Sequence, residues 1–159
     1  MKGECLCGEV AFKIAGELPH LYQCHCSLCR KATGAAANAA TFVQGEQFKW
    51  LSGQGNIRSY QRESGYRSDF CATCGSPVPN QLRGSAWMWV PAGLLEGECS
   101  ARIAVHLHME SAAAWEQEAA HCQRFDTSPR TYKRCTAHFS RCEHERNYNR
   151  LSHTPLSGR

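Results

Sequence analysis

Cys24-His25-Cys26-Ser27-Leu28-Cys29, with Cys5-Leu6-Cys7-Gly8 before it and Cys71-Ala72-Thr73-Cys74-Gly75 after it, decides how this chain is read. Seven thiols in three tight groups are a poor way to fill a hydrophobic core. They suit Zn2+, a borderline-soft ion that takes thiolates in a tetrahedron at about 2.3 Å. One or two residues between cysteines let a single turn offer two sulfurs to one ion. A glycine after the second cysteine frees the backbone to turn and to aim amides at the sulfurs.

Four ligands close a structural site, and Cys5, Cys7, Cys71 and Cys74 supply four. A clip across so long a stretch of chain is where a metal contributes most to a small β domain. Cys24, Cys26 and Cys29 then remain as a set of three, and three protein ligands plus a vacant position is the pattern of a catalytic zinc. Two zinc ions per chain are expected, one structural and one labile. A second partition stays open, in which the two C-x-C pairs close one site and Cys29 and the C-x-x-C lie elsewhere.

The whole chain has 159 residues and 11 cysteines. That length fits one domain, with room for a tail. A disulfide framework is the first alternative for so many cysteines, but the N-terminal Met1-Lys2-Gly3-Glu4-Cys5 does not read as an export signal. The expectation is a cytoplasmic protein with reduced thiols, where clustered cysteines bind metal. No apolar run approaches the roughly 18 residues that span a membrane. Residues 1–126 carry 11 Lys+Arg and 12 Asp+Glu, whereas residues 127–159 carry 7 and 2. The basic character therefore belongs to the end of the chain and not to the cysteine-rich part.

The pattern of the first 126 residues is that of short strands. Val10, Phe12 and Ile14 alternate with Ala11 and Lys13. Ala40–Val43, Phe48–Leu51, Tyr66–Phe70, Trp87–Val90 and Ile103–Leu107 are further strand candidates, punctuated by glycine. The fold class expected is mainly β. Short helices are expected from Ser27 through Lys31 and over Ala112–Ala120. After Asp126 the pattern dissolves at Thr127-Ser128-Pro129, so residues 127–159 read as a basic, poorly packed tail. Within it Cys135-x-x-His138 and Cys142-x-His144 offer ligand types without the aromatic and glycine frame of a zinc knuckle.

At these residues the chain resembles the glutathione-dependent formaldehyde-activating enzyme family, also called the centromere-protein-V-like family. The resemblance rests on Gly3–Gly8 with Val10 and Phe12, on Cys24–Lys31 with Thr33 and Gly34, and on Phe70–Pro77. It continues through Val90–Leu95 and ends with His106, Ser111 and Trp115. It covers about residues 3–126. It implies an Mss4-like fold of twisted sheets around a structural zinc held by Cys5, Cys7, Cys71 and Cys74, with a second, labile zinc on Cys24, Cys26 and Cys29. The activity it implies is the joining of glutathione and formaldehyde into S-hydroxymethylglutathione, a carbon–sulfur lyase reaction. The chain departs from its relatives at Ala35-Ala36-Ala37, where a serine often follows the glycine, and in its last thirty residues.

The partners so implied are a small-molecule thiol and an aldehyde, with no membrane and no nucleic acid. A zinc-stabilised binding module, its basic tail held to a polyanion, is the competing function. Around the three-cysteine motif, Arg30 and Lys31 read as solvated helix residues or as attractors of an anionic thiol. His25 is expected to point outward, and His106 and His108 to share a strand face and support the ligands. Trp87, Trp89 and Trp115 are expected in the core or a cleft wall, Trp50 in either setting, and Cys99 and Cys122 as buried, inert thiols.

Overall fold

The computed structural model describes residues 1–116. They form three sheets and one α-helix. The first sheet has the order β11-β1-β2-β5, built from β1 (Lys2–Glu4), β2 (Ala11–Ile14), β5 (Phe48–Ser52) and β11 (Leu95–Glu96). The second runs β12-β3-β4-β10-β9, from β3 (Leu21–Cys24), β4 (Asn38–Gln44), β9 (Asn80–Gln81), β10 (Trp87–Pro91) and β12 (Ile103–Leu107). The third joins β6 (Ile57–Gln61), β7 (Arg67–Cys71) and β8 (Pro77–Val78). Neighbours are antiparallel except β12 and β3, which run parallel and bring His106 beside Gln23 and Leu107 beside Cys24. The chain is mainly β, as the alternating sequence required.

Alternation explains which faces are buried. In β2, Phe12 and Ile14 face inward while Lys13 faces solvent. They join Leu18, Val43 and Val90 in one core cluster. The Phe12 and Phe48 rings stack at 5.4 Å, and Trp50 meets both edge-on, so Trp50 belongs to the packed interior. A second cluster consists of Cys5, Val10, Cys71 and Val78. Trp50 and Leu94 touch both clusters. The first and last cysteine motifs thus sit in the wall of the core.

The helix α1 (Ser27–Thr33) starts at Cys26, whose sulfur accepts the Cys29 amide, and stops at Gly34, which takes the left-handed conformation. Arg30 and Lys31 in its last turn complement the helix dipole. The helix expected over Ala112–Ala120 does not form in its described part. Ala112 is extended (φ −58°, ψ 145°), so the chain makes 3₁₀ turns at Met109–Ser111 and Ala114–Glu116 instead. Cys122, the rest of that stretch, the tail 127–159 and its Cys135, His138, Cys142 and His144 pattern lie outside the described residues. Among the described residues, no helix is long and apolar enough to cross a membrane.

Candidate metal centres and cleft

Cys5 and Cys7 flank the turn between β1 and β2, and Cys71 and Cys74 flank the turn between β7 and β8. Gly8 (φ 75°) and Gly75 (φ 74°) hold the left-handed conformation that closes each turn. Leu6 donates its amide to the Ser76 hydroxyl at 3.1 Å, tying one turn to the other. The four sulfurs all lie within 4.8 Å of one another. Cys5 and Cys7 sulfurs are 3.5 Å apart, and Cys7 and Cys71 sulfurs 3.8 Å. Four sulfurs at 2.3 Å around one tetrahedral ion would stand about 3.8 Å apart. A disulfide needs about 2.05 Å, and the described cysteines are free thiols. The donor set and spacing therefore fit a metal ion.

Polar groups already point at these sulfurs. Val10 donates its amide to Cys5 at 3.3 Å, and the Asn56 side-chain amide reaches Cys71 at 3.6 Å. The Ser76 hydroxyl and amide draw Cys74 down to about 5. The Glu9 amide favours the Cys7 thiolate, but the neighbouring Cys5, Cys74 and Cys71 thiols outweigh it and push Cys7 up to about 12. Packed thiols cannot all shed their protons without a cation among them.

The second group is Cys24 at the end of β3, Cys26 at the helix cap and Cys29 in the first turn of α1, again with sulfurs within 4.8 Å of one another. Burial raises Cys26, but the Cys29 amide, the Cys29 and Cys24 thiols and the Leu28 amide outweigh it and lower its pKa. Burial, then the Cys24 and Cys26 thiols, push Cys29 well up. Three sulfurs, and no fourth ligand side chain grouped with them among the described residues, leave room for one further ligand. The alternative grouping of the two C-x-C pairs is not the one the fold makes.

The second group opens on a cavity. A cleft of about 540 Å³ has Cys29, Ala32 and Thr33 of α1 in its wall. One side is the outer face of the five-stranded sheet, with Tyr22, Phe42 and Trp89. The other is the β6–β7 turn around Tyr66 and the turn carrying Arg83. Tyr22 and Phe42 stack at 5.2 Å, and the Trp89 indole N–H donates to the Tyr22 hydroxyl at 2.7 Å. Burial, against that donated bond and with the charges of Cys29, Cys24 and Cys26, pushes Tyr22 up to about 12. Arg67 is committed to Asp69 through bonds of 2.6 and 2.7 Å, while Arg83 forms no ion pair among the described residues. Arg83 has a left-handed backbone (φ 44°), rare for a residue with a side chain.

Several sequence expectations change here. His25 does not point outward; it is 2% exposed. Its ring bonds to Glu116 at 3.0 Å through Nδ1 and to His106 Nδ1 at 3.0 Å through Nε2. Both partners are far away in sequence, so no local pattern could reveal the burial. His106 does support the cysteine motif through His25, but His108 leaves the strand in a left-handed turn (φ 58°) and does not share its face. Arg30 donates to the His25 carbonyl at 3.2 Å, and neither it nor Lys31 lines the cleft. Trp89 is cleft wall, whereas Trp87 and Trp115 are 40% and 67% exposed. Cys99 is exposed and not buried, because it lies in the irregular stretch between β11 and β12. Sequence reasoning missed Tyr22 and Arg83; the left-handed backbone of Arg83 left a trace in the Gly84 that follows it.

Residues 1–117 match the family model described as glutathione-dependent formaldehyde-activating enzyme. A Halomonas elongata protein with the provisional name glutathione-dependent formaldehyde-activating enzyme is 29% identical over 84 residues. That match spans 49% of this chain and 54% of the relative, so the chain covers about half the length of the relative it matches. A Rhodobacter sphaeroides crystal structure is similar at 28% identity with a TM-score of 0.51, over 65% of this chain and 99% of that one.

Proposed function

The chain belongs to the glutathione-dependent formaldehyde-activating enzyme family, and from that premise we propose that it is a zinc-dependent carbon–sulfur lyase acting on the adduct of a small thiol and an aldehyde, such as glutathione plus formaldehyde. The observation that carries this reading is the asymmetry of the two cysteine groups. The four-sulfur group has its full set of ligands and anchors Cys5 and Cys71 in the core, whereas the three-sulfur group is one ligand short and meets the cleft through Cys29.

In this reading Cys5, Cys7, Cys71 and Cys74 hold a structural zinc. Cys24, Cys26 and Cys29 hold the second, which when bound lowers the pKa of an incoming thiol and keeps it as thiolate. The protein's own part is to bind and orient. The aromatic wall of Tyr22, Phe42 and Trp89 displaces water from the apolar portion of the substrate. Arg83, unpaired among the described residues, offers its cation to a carboxylate of the thiol. The sulfur lone pair forms a bond to the aldehyde carbon, and the carbonyl π pair moves to oxygen. That oxygen takes up one proton, replacing the one the thiol lost, so thiol plus aldehyde equals adduct. The reverse reaction breaks the same carbon–sulfur bond.

The test is exchange spectroscopy by NMR on glutathione and formaldehyde at equilibrium, with protein added. Exchange above the spontaneous rate, absent in Cys26→Ser, supports the reading. Exchange equal to the spontaneous rate with this and other small thiol–aldehyde pairs overturns it.

A further inference from the structure

We propose that the Tyr22 hydroxyl is the hydrogen-bond donor to the aldehyde-derived oxygen of the thiol adduct; this rests on the lyase reading of the same cleft. Three neighbouring strands fix the hydroxyl. Tyr22 lies on β3, its ring stacks on Phe42 of β4 at 5.2 Å and 15° between planes, and Trp89 of β10 donates to its oxygen at 2.7 Å. An indole N–H can only donate. The Tyr22 proton therefore cannot turn toward Trp89, and the hydroxyl donates to no described residue. Trp89 uses an oxygen lone pair and leaves the O–H to a partner in the cleft.

That cleft is the one with Cys29 in its wall. Tyr22 and Cys24 are two apart on one strand, so their side chains leave the same face. The indole bond satisfies the Trp89 N–H and at the same time orients the Tyr22 hydroxyl. When sulfur adds to the aldehyde carbon, charge moves onto the oxygen. A fixed donor there is stronger for the growing charge than for the neutral carbonyl. In this role the Tyr22 hydroxyl donates a hydrogen bond and transfers no proton, and the proton that completes the adduct comes from solvent. Trp89 is the positioning residue, acting through Tyr22.

The experiment uses zinc-loaded full-length protein and its Tyr22→Phe and Trp89→Phe variants. Calorimetry measures the affinity for glutathione alone and for glutathione equilibrated with formaldehyde, and NMR measures the exchange rate. Tyr22→Phe should bind glutathione within about twofold of wild type and lose the affinity gained on adding formaldehyde. Its exchange should slow by about 10²-fold, the usual loss for one such donor. Trp89→Phe should show the same pattern at smaller size. Unchanged exchange in Tyr22→Phe overturns the inference and leaves the lyase reading standing. Parallel loss of glutathione binding and exchange also overturns it, since Tyr22 would then be only a wall. Wild-type exchange at the spontaneous rate removes both together.

Discussion

The sulfurs of Cys7 and Cys71 lie 3.8 Å apart although 64 residues separate them in the chain. The contact ties the turn between β1 and β2 to β7, beside the cluster where Cys5, Val10, Cys71 and Val78 are buried. A ligand lost here opens a long loop as well as a metal site.

Cys71→Ser should therefore unfold the domain or lower its Tm sharply, whereas Cys26→Ser should leave a folded β protein that binds one zinc fewer. Circular dichroism melts with metal analysis check this. Equal loss of structure in both variants would contradict the division into a structural and an open site.

Gly75 turns the chain at φ 74° directly after Cys74. Gly75→Ala should cost about 1–2 kcal/mol, the penalty of the left-handed conformation for a residue with a Cβ. An added Cβ meets no atom within 4 Å, so the cost is conformational and not steric. Denaturant unfolding reads it, and an unchanged midpoint would contradict the turn geometry.

Arg83→Asn removes a cation of the cleft that has no ion-pair partner among the described residues, while keeping a residue that tolerates a positive φ. KM for an anionic thiol should rise by about two- to fivefold with kcat unchanged, as for an exposed ion pair. The difference should shrink in high salt, because the charge is exposed. No change in KM at low salt would remove Arg83 from substrate binding.

His25 bonds through both ring nitrogens, to Glu116 and to His106. His25→Leu strands both partners and should destabilise the fold by about 1–3 kcal/mol. Since His25 does not line the cleft, the glutathione affinity of the remaining folded protein should stay near that of wild type. A large loss of affinity at full stability would instead put His25 in the substrate site.

The strands that alternation marked, such as β2 and β4, were legible because one face of each is buried. β1 (Lys2–Glu4) and β6 (Ile57–Gln61) were not, since they are short or almost wholly exposed and carry no period. β3 (Leu21–Cys24) was hidden because it runs into the cysteine motif that followed it. The cysteine groups could be read from spacing, since a tight turn is a local event. The cleft could not. The bond from Trp89 to Tyr22 spans 67 residues and that from His25 to Glu116 spans 91. Such contacts come from strand order, which no local pattern encodes.

The central claim, two zinc sites of unequal exchange, is tested most directly by zinc per chain on freshly purified protein before and after mild chelation. The account predicts two zincs falling to one, with Cys26→Ser at one from the start and unaffected by the chelator. A single zinc that resists the chelator, with no further uptake from added zinc, would contradict it.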